Sequence, residues 1–202
     1  MYQGILNIIS EFSEESITKD RKVVLKPFRE YIQRNFDEGN TIRLNFICTH
    51  NSRRSILSQI WAQAMAFYFN IPEVYTYSGG TVSTAIPDIL IRLLISQGFQ
   101  IQQLSDSENP IYSVKYSKDE NPIICFSKEY YNKFNPETDF LALMTCNNAD
   151  KECPVVSGAI GRISVQYEDP KQFDGSDDEV KKYHEISLEI ANEMWYVFKN
   201  IE

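Results

Sequence analysis

Positive charge is what this sequence has little of. Against 28 aspartates and glutamates stand 20 lysines and arginines, a net charge of −8. The chain therefore lacks the basic surface that many phosphate contacts need, and it is not expected to bind nucleic acid. A small anionic substrate stays open, because a local cluster of cations can oppose the overall field. Long apolar runs are also missing, so no membrane span is expected. The opening "MYQGILNIISEFSEES" has no basic leader, and its apolar stretch breaks off too early for a secretory signal. Without such a signal the four cysteines, Cys48, Cys125, Cys146 and Cys153, read better as redox or catalytic thiols than as structural disulfides, and the expected location is the cytoplasm. Only two histidines occur, His50 and His184. They lie far apart, which leaves His50 no credible partner on a metal, and no metal or cofactor is expected. Among eight glycines there is no Gly-x4-Gly-Lys-Ser/Thr, which excludes a Walker-type phosphate loop.

What remains is a chain of ordinary globular composition, 43% apolar and 24% charged over 202 residues, enough for one domain with a sizeable core and an appended segment. Residues 1–38 read as a helical prefix packing on the core: Leu25, Phe28, Tyr31, Ile32 and Phe36 recur at helical spacing, and Gly39 stands where a helix would stop. "TIRLNFICT" (41–49) reads as a buried strand. A helix follows with Ile56, Leu57, Ile60, Trp61, Ala64 and Phe67 on one stripe. "VYTYSGG" (74–80) reads as a strand and "PDILIRLLISQG" (87–98) as a helix with proline at its start and glycine past its end. "PIYSVKYS" and "PIICFSK", within 110–127, suggest a hairpin at a sheet edge. "DFLALMTC" (139–146) and "GRISVQYEDP" (161–170) are further strands. The last helix is expected to open on a capping box, Ser176 to Glu179, and to bury Val180, Tyr183, Ile186, Ile190, Met194 and Val197. Strands alternating with helices imply an α/β architecture with a mainly parallel sheet covered on both faces. Chemistry in such sheets collects at the carboxyl ends of strands, which is where Cys48, Cys146 and Asp169 fall.

Cys48 opens the run "CTHNSRRS", Cys-x5-Arg between a buried strand and an amphipathic helix. A turn of that length can point successive N–H groups at a tetrahedral anion, with the helix N-terminus adding positive potential and Arg54 a planar fork for two oxygens. The same field favours a Cys48 thiolate placed for attack. Ser55 is positioned to donate to that thiolate and Asn51 to brace the loop. Thr49, His50, Ser52 and Arg53 complete the candidate anion-binding turn, with the side chain of His50 at its rim or in solvent. The bland alternative is a strand end followed by a surface helix. Cys146 and Cys153 flank six mostly polar residues, too many for a zinc knuckle. A flexible segment could join them as a disulfide, or they are two inert thiols. Cys125, in "IICFS", reads as a core residue.

"CTHNSRRS" resembles the phosphate-binding loop of the low-molecular-weight protein tyrosine phosphatases and of the thioredoxin-coupled arsenate reductases built on the same fold, with Thr49 and Ser52 around Asn51 favouring the reductases. "YSGGT" (77–81) resembles the Tyr-Ser-Ala-Gly-Thr stretch after their second strand. His50 stands where these families usually have glycine, and Arg53 where they commonly have cysteine. "CNNADKECP" resembles the reductases' redox loop, which the phosphatases lack. "YEDP" resembles the Asp-Pro of both families, whose aspartate is the general acid; alone, Asp169-Pro170 could equally start a turn. Lys171, Gln172 and Phe173 replace the tyrosine pair that phosphatases carry after that proline.

The resemblance implies a three-layer sandwich around a central four-stranded parallel sheet, with the prefix and the 110–127 hairpin as additions. It also implies arsenate reduction, with Cys48 as nucleophile, Arg54 holding the oxyanion, Asp169 as acid, Cys146 and Cys153 resolving the intermediate, and a thioredoxin-like reductant as partner. The alternative is an aryl-phosphate phosphatase working through a phosphocysteine. A non-enzymatic anion sensor is a third reading.

Overall fold

The computed structural model describes residues 1–152 and 155–202. Its centre is a four-stranded sheet of β1 (Ile42–Cys48), β2 (Val74–Gly80), β6 (Phe140–Met144) and β7 (Ala159–Ser164), ordered β2-β1-β6-β7 and parallel at every pairing. Alternation along the strands sorts side chains between two faces. Leu44 and Phe46 of β1, with Leu141 and Leu143 of β6, join the main core. Ile47, Ala142 and Met144 belong to a second, smaller cluster.

The main-core face is covered by α2 (Lys19–Asp37), α3 (Arg54–Tyr68) and α6 (Glu179–Lys199). α3 runs through the middle of this layer, with Ile56, Leu57, Ile60, Trp61 and Ala64 all fully buried. α5 (Asn147–Glu152) packs on the other face, against β1 and β6. α4 (Asp88–Ser96) leans on α6.

The prefix contains α1 (Gln3–Ile9), a short 3-10 turn (Glu14–Ser16) and α2. Ile5, Ile9, Leu25, Phe28, Tyr31 and Ile32 enter the same core cluster as the sheet. Arg21 of α2 makes a buried two-pronged contact with Glu193 of α6, 2.5 and 2.8 Å, and its guanidinium lies 4.8 Å from the ring centre of Tyr167. Gly39 closes α2 at φ +67°, where a side chain would be strained.

The hairpin is present as β4 (Tyr112–Lys115) and β5 (Ile123–Cys125), paired antiparallel. It adds no strand to the central sheet. Instead it forms a separate three-stranded sheet with β3 (Gln100–Gln103), a strand whose polar "QIQQ" has no apolar alternation to reveal it. The segment after the hairpin reaches the central sheet: Gly80 N–H donates to Lys128 O (2.8 Å) and Tyr130 N–H to Gly80 O (2.9 Å). Further back along β2, side chains of α3 occupy the outer edge. Gln59 Nε2 donates to Thr76 O (3.0 Å), Gln63 Nε2 to Val74 O (2.9 Å), and Thr76 N–H to Gln63 Oε1 (3.1 Å).

Three expectations are corrected. β7 ends at Ser164; beyond it the chain runs extended toward Pro170, tied to β6 and its end by Val165 N–H to Met144 O and Tyr167 N–H to Thr145 O. The capping box does not form, because Ser176 Oγ donates backward to Phe173 O, and α6 starts from Asp178 without a side-chain cap. Val180 is 69% exposed, whereas Tyr183, Ile186, Ile190, Met194 and Val197 are buried; with the helix starting only at Glu179, Val180 lies in its first, uncovered turn. Among the described residues no helix is long and apolar enough to cross a membrane.

Candidate active site

The loop from β1 to α3 turns its carbonyls outward. Cys48 O accepts Thr81 N–H (3.1 Å), Thr49 O accepts Val82 N–H (2.9 Å), and His50 O accepts Ser127 Oγ–H (2.8 Å). A trans peptide holds its N–H opposite its C=O, so each outward carbonyl turns an amide inward. Asn51 N–H donates to Cys48 Sγ at 3.2 Å. The amides of Ser52, Arg53 and Arg54 make no hydrogen bond among the described residues, as befits the first turn of a helix. The 15-residue α3 adds the positive end of its dipole. A concave row of N–H groups over a sulfur is a cradle for an oxyanion.

Cys48 is 3% exposed and borders the smaller apolar cluster, yet polar groups also reach its sulfur. Ser55 Oγ lies 3.1 Å from its sulfur. Because Asn51 Nδ2 donates to Ser55 Oγ (2.9 Å), the serine's own hydrogen is free to point at Cys48. Asn51 Oδ1 in turn accepts Lys128 N–H at 3.0 Å. Asn51 sits at φ +47°, one of the few residues that enters this region readily. The positive φ thus falls on Asn51 and not on His50, whose carbonyl is the group tied down. Gly80 has to be glycine, since a Cβ there would stand 2.7 Å from Thr49 O and 2.8 Å from Asn51 N.

Arg54 is buried at the loop's end. Its Nη2 donates to Asp169 Oδ2 (2.6 Å) and its Nη1 to Tyr167 O (3.2 Å), while Nε is buried without a partner among the described residues. Asp169 Oδ1 accepts Lys171 N–H (3.1 Å), which seats the carboxylate on the 3-10 turn Pro170–Phe173. The structure therefore brings Cys48, Asn51 and Ser55 together, and sets Arg54 of the same loop's end against Asp169. Arg53 is turned elsewhere: its Nε donates to Tyr183 Oη (2.5 Å) and its Nη2 to Asp174 Oδ2 (2.8 Å). Its Nη1 donates to Ser52 Oγ (3.3 Å). Burial pushes the Tyr183 phenol up to about 12, with Arg53 opposing and Asp174 reinforcing the rise.

Cys146 follows β6 and starts α5. It is 1% exposed and shares the small buried cluster with Cys48, Ile47 and Met144, and Tyr130 packs against that cluster. Its sulfur lies 3.4 Å from Thr49 Oγ1 and accepts Ala149 N–H at 3.4 Å. Asp150 fastens α5 by accepting from Arg162 (2.5 Å to Oδ1) and from Gln166 (3.1 Å to Oδ2). Cys153 lies outside the described residues. Cys125 is fully buried in the main core, and desolvation pushes its thiol up to about 12 against the pull of Lys128. Among the described residues no cluster of three or more His, Cys, Asp or Glu is arranged to hold a metal.

Sequence reasoning missed Ser127, Lys128 and Tyr130. Their contacts with the loop and with β2 come from a segment 77 residues after His50 and Asn51, so no local pattern marks them. Lys128 is 1% exposed with its ammonium 4.5 Å from the ring centre of Phe126, and burial pulls it down to about 8.

This arrangement defines a fold seen in solved structures of two kinds. An arsenate reductase from Archaeoglobus fulgidus superposes with a TM-score of 0.52 at 17% identity, over 78% of this chain and 99% of its own. A low-molecular-weight phosphotyrosine phosphatase from Vibrio cholerae does so with a TM-score of 0.54 at 10% identity, over 79% and 95%. An arsenate reductase in a phosphate-bound state gives 0.50 at 14% identity, over 80% and 100%. No family model and no curated protein matches the sequence. The chain has the α/β fold of the low-molecular-weight phosphotyrosine phosphatase superfamily, with a small antiparallel sheet added.

Proposed function

We propose that this chain is a thiol-dependent arsenate reductase that acts in the cytoplasm. The observation that carries the reading is the position of Cys146: it is in the same buried cluster as Cys48, with its sulfur 3.4 Å from a hydroxyl of the anion loop. A phosphatase that resolves its intermediate with water has no need of a second thiol there.

In the proposed reaction arsenate occupies the cradle, its oxygens held by the loop amides and by Arg54. Binding of the guanidinium to the anion would draw it from Asp169 and free Oδ2. Cys48 thiolate attacks arsenic(V), and one oxygen leaves as water after taking a proton from Asp169. The sulfur–arsenic bond then breaks as Cys146 thiolate attacks Cys48 Sγ. The two electrons of that bond stay with arsenic, which departs as arsenite, and a Cys48–Cys146 disulfide remains. Ala149 N–H donates to Cys146 Sγ and Thr49 Oγ1 lies 3.4 Å from it, which seats the attacking sulfur beside the loop. Cys153 attacks Cys146, restoring the Cys48 thiolate. A thioredoxin-like dithiol reduces the Cys146–Cys153 disulfide, taking the two electrons' worth of oxidation with it.

The alternative is phosphatase action, in which water hydrolyses a phosphocysteine on Cys48. Cys48, Arg54 and Asp169 serve both readings equally. Lys171, Gln172 and Phe173 beside Asp169 supply no tyrosine pair to stack on a substrate ring, which favours the small oxyanion. Cys146→Ser separates the readings. It is expected to abolish arsenate turnover with a dithiol reductant while sparing any aryl-phosphate hydrolysis, and mapping after one turnover of the native chain should find Cys146 in a disulfide. Arsenate turnover that survives Cys146→Ser would sink the proposal, and anion binding without either turnover would favour a sensor.

A further inference from the structure

We propose that Ser127, carried by the added segment and not by the loop, is the positioning residue that fixes the His50–Asn51 peptide with its N–H toward Cys48. The inference rests on the reading of Cys48 as the thiolate of an anion loop.

The two ends of that peptide are engaged in opposite directions. His50 O accepts Ser127 Oγ–H at 2.8 Å, and Asn51 N–H donates to Cys48 Sγ at 3.2 Å. Rotating the plane by about half a turn would reverse both ends, since the two groups lie on opposite sides of a trans unit. Asn51 would leave its φ of +47° for the negative values that residues with a Cβ prefer. His50 O would then face the sulfur, and its lone pairs would oppose both a thiolate and a bound oxyanion. The backbone's own preference therefore favours the unproductive orientation, and something outside the loop has to hold the productive one.

Ser127 is built for that task. It is 1% exposed. Its Oγ accepts Thr84 N–H at 2.7 Å, which commits its hydroxyl hydrogen to His50 O. Asn109 clamps it on both sides, accepting Ser127 N–H (3.2 Å) and donating to Ser127 O (2.7 Å). Thr84 Oγ1 makes a longer bond to the same His50 carbonyl, 3.4 Å. The next residue, Lys128, holds the Asn51 side chain by its backbone amide. Ser127 never approaches the substrate; it acts through one peptide plane.

The test is alkylation of Cys48 by iodoacetamide in the full chain, followed at the Cys48 peptide across pH and with inorganic phosphate as protectant. In Ser127→Ala, protection by phosphate is expected to weaken about tenfold, the worth of one buried hydrogen bond, and the alkylation midpoint to move up. Ser127→Thr, which keeps the hydroxyl, should restore both. Arg54 and Asp169 are untouched by these changes, so a moved midpoint reports the peptide. A folded Ser127→Ala with native protection and midpoint overturns the inference, as does a Ser127→Thr no better than alanine. If Ser127→Ala does not fold, Thr84→Val decides: a smaller shift in the same direction supports the inference, and native values overturn it. Should the unsubstituted chain show no phosphate protection of Cys48, the anion-loop reading itself fails; protection that is present but indifferent to residue 127 defeats this inference alone.

Discussion

Cys48 and Cys125 are hidden to the same degree, 3% and 1% exposed, and have opposite surroundings. Around Cys48, a serine hydroxyl and a backbone N–H point at the sulfur, and a helix begins six residues on. Cys125 lies in the main core, and desolvation raises its thiol to about 12 against the weaker pull of Lys128. Burial by itself therefore says nothing about whether a cysteine is reactive. What separates the two sites is the count of donors that survive burial, because a low-dielectric setting strengthens every dipole aimed at a charge and penalises a charge with none.

The comparison breaks most visibly at Cys48. Cys48→Ser is expected to lower arsenate and aryl-phosphate turnover by on the order of a thousandfold or more, measured as steady-state rates. Cys125→Ala should leave those rates within about twofold, since its side chain lies in the main core and not in the cluster around Cys48. The next largest effect is expected at Ser55. Ser55→Ala removes the hydroxyl 3.1 Å from Cys48 Sγ, a hydrogen bond worth about 1.5 kcal/mol, so the pH midpoint of Cys48 alkylation should rise and turnover near neutrality fall about tenfold. An unmoved midpoint would mean that the loop amides alone stabilise the thiolate.

The smallest effect is thermodynamic. Cys125 titrates near 9 when unfolded and at about 12 when folded, so the unfolded chain releases its proton first. The stability that this thiol contributes is complete below about pH 9 and is lost as pH climbs toward 12. Lys128, pulled from 10.5 to about 8, has the opposite sign: the unfolded chain holds the proton longer, so its contribution grows with pH between those values. Cys125→Ala should therefore flatten the decline of urea-unfolding midpoints above pH 9, at a cost near neutrality of about 1 kcal/mol for the small cavity. An alkaline decline identical to that of the unsubstituted chain would contradict the assignment.

Much of this was legible in the residues because the fold repeats one local grammar. β2 spans the seven residues that "VYTYSGG" outlines, and α4 begins directly after the proline that predicts it. Cys48 at the end of β1 and Cys146 just past β6 follow from the same alternation, whereas Asp169 lies beyond the end of β7 and was marked by its Asp-Pro pair alone. What stayed hidden depends on pairing across distance. The hairpin looks the same in sequence whether it joins the central sheet or makes its own with β3. Ser176 and Glu179 satisfy a capping pattern, yet the 3-10 turn before them captures the serine first. The support of Asn51 by Lys128 and of His50 by Ser127 joins residues 77 apart, and the peptide planes they set have no signature in residue type.

The glutamines of α3 carry one last implication, for behaviour in a crowded solution. An edge strand with free amides and carbonyls invites a neighbouring molecule to add its own strand and start a fibril. Here Gln59 and Gln63 have already taken those groups at Val74 and Thr76, and the segment at Lys128–Tyr130 takes them at Gly80. An incoming chain would have to evict three side-chain hydrogen bonds before gaining any of its own. The helix that follows the Cys48 loop also keeps the β2 edge beside it from templating aggregation.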